Sequence, residues 1–149
     1  YYLRLFAWLL PALISASLNP DCVRDVLLCV EHCGFGERMN LAKLQEKLQD
    51  YTEEDLWYTC IKLEEGGYLD LMTAQYLRMP LPSIKQINDL TYSGHEFLNT
   101  IREQGTWDKV KGVAQKASVF SLKTLGEIAQ EVAKTAVTAA LQSLGHMNP

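Results

Sequence analysis

His95 and Glu96 stand side by side in LTYSGHEFLNTIR, residues 90–102, and offer a metal ligand next to a general base. A zinc peptidase places two histidines one helical turn apart, with a glutamate beside the first. Here the position one turn on is Asn99, and an amide is a poor ligand because Zn²⁺ selects thiolate, imidazole or carboxylate. The constellation is one ligand short. Ser93, His95 and Glu96 do not make a triad either, since neighbouring residues on a helix point in different directions. The bland reading gives Gly94 a close-packing role, places Phe97, Leu98 and Ile101 in the core, and leaves His95 to a local hydrogen bond.

The four cysteines, Cys22, Cys29, Cys33 and Cys60, match no ribbon or finger spacing. Cys22, Cys29 and Cys33 share a helix face with Val26 and Val30, as small buried hydrophobes do in a reducing cytosol. A metal site built from Cys29, Cys33, Cys60 and His32 requires position 32 to join that face, and helical rotation turns it away. With no Gly-rich phosphate loop, nucleophile elbow or paired-ligand motif, the expectation is a chain that is not an enzyme. It is expected to use no cofactor and no metal, and no small-molecule substrate is evident.

The elements that position these residues are legible from caps and periodicity. Asn19, Pro20 and Asp21 open a helix with Val23, Val26, Leu27 and Val30 on one stripe, and Gly34 and Gly36 end it. Arg38 to Leu41 reads as a short strand or extended lead-in. Leu41, Leu44 and Leu48 mark a short helix. Thr52 caps a further helix that carries Leu56, Trp57, Cys60, Ile61 and Leu63 and stops at Gly66-Gly67. Two strands around residues 68–79 and 83–91 form a hairpin whose tip is Pro80 and Pro82. Thr91 caps the helix of His95, Gly105 breaks it, and TWDKVKGVAQKA makes another, with Trp107 packing it against the hairpin. The last segment is amphipathic and alanine-rich, with Leu122, Leu125, Ile128, Ala129, Val132, Ala136, Ala140 and Leu144 on one stripe.

This order predicts a mainly α (α+β) fold: a winged helix-turn-helix domain with a small β-hairpin wing, followed by a long amphipathic C-terminal helix. The helix from Thr52 to Glu65 takes the recognition position. Three segments follow: 1–17, an apolar N-terminal extension; 18–118, the winged-helix-like domain; and 119–149, the C-terminal helix and tail.

Two motifs resemble a known family. YTCIKLEEGGYL has a tyrosine-led helix ending in Gly before a short strand. INDLTYSGHEFLNTIREQGTWDKVK carries the more specific pattern, L-T-x-x-G-H-E-F-L followed by an Ile-Arg pair and a Trp-x-Lys. LNPDCVRDVLLCVE resembles the opening. Together they resemble the bacterial and phage family known as domain of unknown function 2513, over about residues 18–145. Thr59 departs from the pattern, which often has histidine there, so no role of that histidine carries over. The resemblance implies a small cytoplasmic protein of a bacterial host, often encoded in prophages and other mobile elements, and it implies no known activity.

The first seventeen residues, YYLRLFAWLLPALISAS, set an apolar run behind Arg4 and end in small residues, as an export signal does. The run is too short to span a bilayer and Pro11 interrupts it. Because related chains start near Leu18, an extended start or lineage-specific addition is preferred over export. Membrane contact is not expected outside residues 1–17.

Composition narrows the partner. The 149 residues carry a net charge of −4, with 48% hydrophobic and 21% charged residues, a globular balance. Duplex recognition needs cations against phosphates. The helix in the recognition position instead offers Glu53, Glu54, Asp55, Glu64 and Glu65 against Lys62. If DNA is bound, the contacts are Lys62, Arg78 and Lys85, with Lys109 and Lys111 further on. The preferred reading is a non-catalytic protein-interaction or regulatory module with a protein partner or a second copy of itself. Leu125, Ile128, Val132, Ala136 and Leu144 are the self-association residues. The alternative is a sequence-specific DNA-binding transcriptional regulator.

Overall fold

The computed structural model describes residues 18–118 and 120–146. The 1–17 extension, and with it the choice between export signal and extended start, lies outside the described residues. Contacts divide the chain into two compact units, one ending at His95 and the next beginning at Glu96. The sequence boundary at 118/119 thus falls inside the second unit.

The first unit begins with α1 (Pro20–Glu31), where the Asn19 side chain accepts from the Asp21 amide at 3.0 Å and Pro20 occupies the first turn. Cys22, Val23, Val26, Leu27 and Val30 are its buried stripe. α2 (Leu41–Lys47) is capped by Asn40, whose Oδ1 accepts from the Lys43 amide at 2.8 Å, and buries Leu44. α3 (Glu53–Glu65) opens on a reciprocal capping box between Thr52 and Asp55. Its end is set by Gly67 at φ +80°. The Gly67 amide donates to Glu64 and the Tyr68 amide donates to Leu63, which satisfies two terminal carbonyls. α1 and α2 both pack on α3.

β1 (Leu69–Ala74) and β2 (Ser83–Leu90) pair antiparallel, with Leu69 opposite Leu90, Leu71 opposite Ile87 and Thr73 opposite Ile84. Leu69 and Leu71 of β1 and Ile84, Ile87 and Leu90 of β2 are buried, and the three-residue spacing in β2 is accommodated by register irregularities at Asp70/Leu71 and Met72/Thr73. The extended lead-in expected near Met39 exists as a single bridge, in which the Ile87 amide donates to the Met39 carbonyl at 2.9 Å.

α4 (Tyr92–Ile101) begins in the first unit and continues into the second. α5 (Gln104–Ala117) and α6 (Leu122–His146) follow, and pack on each other. Phe97, Leu98, Ile101, Trp107, Val110, Ala114, Leu125 and Ala129 are buried. The fold is mainly helical with one two-stranded hairpin and a long C-terminal helix, as expected. No helix among the described residues is long and apolar enough to cross a membrane.

Candidate interaction surfaces

The GHEF segment is a joint. Thr91 Oγ1 donates to the Gly67 carbonyl and accepts from the Gly94 amide at 3.0 Å, while the Thr91 amide donates to the Tyr68 carbonyl at 3.1 Å. Gly94 lies so close to Tyr68 that a Cβ there would collide with the Tyr68 carbonyl oxygen. His95 Nδ1 stands 3.9 Å from Glu31 Oε2, a surface pair between α1 and the start of α4. Thr91 and Gly94 therefore fasten the start of α4 to the end of α3, and His95, which suggested a metal ligand, pairs with α1 instead.

The four cysteines differ in burial. Thr59 Oγ1 donates to Cys22 Sγ at 3.3 Å, and Cys22 and Cys60 are buried, whereas Cys29 and Cys33 are half-buried. Burial pushes the Cys22 thiol up to about 11 and raises that of Cys60 further. His32 Nδ1 is 2.7 Å from the Leu28 carbonyl, engaged along its own helix. Among the described residues no three His, Cys, Asp or Glu side chains gather as a metal site would require.

The five cations considered for DNA are divided between the units, with Lys62, Arg78 and Lys85 in the first and Lys109 and Lys111 in the second. Lys62 Nζ is 2.8 Å from Glu65 Oε2 and 5.6 Å from the Tyr58 ring centre. The hydrogen bond to Glu65 holds its ammonium above the ordinary lysine value. Lys85 sits 4.8 Å from the centre of the Tyr76 ring. Lys111 lies 3.9 Å from Asp108 and 5.8 Å from the Trp107 ring centre. Arg78 is at the hairpin tip with φ 79°, in a turn closed by the Met79 amide donating to Tyr76 at 3.1 Å. Residues 18–95 carry thirteen acidic and seven basic side chains, a balance that repels phosphate.

A groove of about 710 Å³ runs beside α3. Leu41, Trp57, Ile61, Leu81 and Pro82 supply its apolar surface, and Glu53, Glu54 and Glu65 line it with Tyr58 and Lys62. Trp57 Nε1–H donates to the Pro82 carbonyl at 2.9 Å, so the indole joins α3 to the far arm of the hairpin. Leu56, Cys60 and Leu63 take the core positions of α3, while Trp57 and Ile61 are only half-buried. Beyond Leu81 the tip exposes Met79, Leu77 and Tyr76, with Leu77 at 98%. Sequence reading assigned Trp57 and Ile61 to an apolar stripe but not to a groove. The signal was present in their offset from Leu56, Cys60 and Leu63 around the helix.

The self-association residues divide. Leu125 is fully buried with Ala129 in the second unit, so Leu125 is not available to a second chain. Ile128 and Val132 are half-buried and line a small groove with Val113. Ala136 and Leu144 are exposed, as are Val137 and Leu141, at 58%, 63% and 62% for Val137, Leu141 and Leu144. At 3.6 residues per turn, the Val137, Leu141 and Leu144 face is turned roughly 100° from Leu125 and Ala129. Sequence reading missed Val137 and Leu141, although with Ala140 and Leu144 they form an i, i+3, i+4, i+7 set.

A family model described as Hypothetical protein (DUF2513) matches residues 17–120. That stretch holds α1 to α5 and the α3 groove, and α6 lies past it. Comparison with curated proteins gave no match, and comparison with solved structures gave none.

Proposed function

The chain belongs to the DUF2513 family of hypothetical proteins, and from its surfaces we propose that it is a non-catalytic protein-interaction or regulatory module that self-associates. The element order suits a winged helix-turn-helix, with α3 in the recognition position and the β1–β2 hairpin as the wing. On this reading the protein works in the cytoplasm of a bacterial host, as products of prophages and other mobile elements do.

The observation that carries the proposal is the distal half of α6. From Lys134 to Gly145 every residue is exposed, and Val137, Leu141 and Leu144 share one face with Ala140. A helix with an apolar face gains its stability from burying that face. The segment from Val132 to Gly145 carries one charged residue, Lys134, which bonds to Glu131 at 3.4 Å. Two copies can therefore pair without opposing like charges. The alanines allow close approach of the two backbones. A DNA-reading role for α3 has to overcome the unpaired acids at its start, which would face phosphate in the usual docking.

Sedimentation of the full chain at low and high salt tests the proposal. A dimer or larger species that persists at 1 M NaCl, a condition of the experiment that screens surface charge, and that Leu141→Glu converts to monomer, is the expected result. A monomer at all concentrations, or an assembly indifferent to Leu141→Glu, overturns it.

A further inference from the structure

The groove beside α3 has an apolar floor and an acidic rim, and we propose that it receives a short apolar segment of a partner protein flanked by lysine or arginine. The groove and the α6 face share no residues, and the two proposals stand or fall independently. Its volume of about 710 Å³ lies within the roughly 300–1,000 Å³ of sites that enclose ligands. The floor draws on three elements, with Leu41 from α2, Trp57 and Ile61 from α3, and Leu81 and Pro82 from the hairpin. The Trp57 to Pro82 hydrogen bond holds the hairpin wall against the helix, so little ordering is needed when a segment arrives.

Charge selects the occupant. Glu53 and Glu54 line the groove at the start of α3, are exposed, and have no ion-pair or hydrogen-bond partner among the described residues. At a helix N-terminus they complement the dipole, but that role requires no apolar floor beside them. Lys62, the cation in the lining, is neutralised by Glu65 at 2.8 Å. On the hairpin, Lys85 rests on the Tyr76 ring and Arg78 occupies the tip, while Lys43 of α2 donates to the Arg38 carbonyl. A basic group entering at the α3 N-terminus meets two uncompensated carboxylates, while its apolar neighbours reach Trp57, Ile61 and Leu81. Exposed Met79 and Leu77 extend the apolar surface outward along the hairpin. A nucleic-acid strand would bring negative charge to the same rim, and electrostatic complementarity excludes it.

The test is selection of random twelve-residue peptides, displayed as a library, against the full chain. The expected pool has large apolar residues flanked by Lys or Arg. Ile61→Glu removes that enrichment with the thermal melt unchanged. Should Ile61→Glu unfold the chain, the exposed pair Glu53→Lys and Glu54→Lys serves instead and shifts the flanks of the pool to Asp and Glu. A selected peptide loses about tenfold in affinity to that double variant, the size of 1.4 kcal/mol, and moves the Trp57 indole resonance in NMR spectra. No enrichment, a pool without basic bias, or binding indifferent to the groove variants overturns the proposal. So does duplex DNA that displaces the peptides. A change in the mass of the chain caused by the groove variants also overturns it, because the occupant is then a second copy.

Discussion

The Trp57 indole donates to the Pro82 carbonyl at 2.9 Å, linking α3 to the residue just before the returning strand β2 at a hydrophobic groove. Trp57→Phe keeps most of the ring and removes the donor. The loss is expected to cost about 1 kcal/mol, the net worth of a typical hydrogen bond. Urea denaturation measures it. Hydrogen exchange at Ile84 and Lys85 should rise more than exchange in α1, because the hairpin arm loses its tether.

Gly94→Ala drives a methyl group into the Tyr68 carbonyl oxygen. Backbone cannot yield as a side-chain tip does, so a loss of about 2–3 kcal/mol is expected, the upper part of the range for overpacking. Gly112→Ala in α5 is the contrasting substitution. A Cβ there meets nothing within 4 Å, and stabilisation of about 0.5–1 kcal/mol follows from the lower chain entropy of alanine. The two thermal melts should move in opposite directions.

The Tyr51 hydroxyl donates to Asp25 Oδ2 at 2.6 Å, across from the loop before α3 to α1. Burial, with this hydrogen bond to a carboxylate, pushes the phenol above its ordinary range. Tyr51→Phe should destabilise by about 1.5–3 kcal/mol, as loss of a hydrogen bond to a charged group does. Denaturant midpoints compare it with the native chain.

Thiol chemistry should separate the cysteines into two classes. Cys29 and Cys33 are half-buried and should react with a chromogenic disulfide reagent first, while Cys22 and Cys60 wait for unfolding. The same burial makes stability fall with alkali. Cys22 has a folded value of about 11 against an ordinary 9.0, so above pH 9 the unfolded state releases a proton that the folded state retains. Stability is therefore lost progressively between about pH 9 and 11, by an amount on the order of 2–3 kcal/mol. Urea titrations across that window with the native chain and Cys22→Ala separate this contribution from that of Cys60.

Much of the fold is written in local chemistry. Asn19, Thr52 and Thr91 cap the helices they were expected to cap, and Gly94 packs as closely as its place in the motif suggested. Those features depend on residues a few positions apart, or on a single missing Cβ. The surfaces were harder to read. Trp57 and Leu56 are both apolar in sequence; their offset around the helix separates core from flank, but only the arrival of Pro82 turns the Trp57 side into a groove. Leu125 and Leu144 read as one stripe in sequence, yet one is buried and the other is exposed, because they lie about 100° apart around α6. Length adds to this. α5 has 14 residues and α6 has 25, about 21 and 37 Å at 1.5 Å per residue. The shorter helix cannot cover the longer one, and no periodicity in α6 announces where its neighbour ends.

The rotation between the two apolar faces of α6 has a kinetic consequence. Leu125 and Ala129 are already committed inside their own unit, while Val137, Leu141 and Leu144 look out from a different side. Pairing of two chains through the outer face then breaks no contact within either chain, and no segment has to be exchanged between them. Assembly should follow simple second-order kinetics without a slow unimolecular phase, at the roughly 10⁵–10⁷ M⁻¹s⁻¹ of preformed protein surfaces. Stopped-flow dilution and mixing should give one relaxation whose rate depends on concentration throughout.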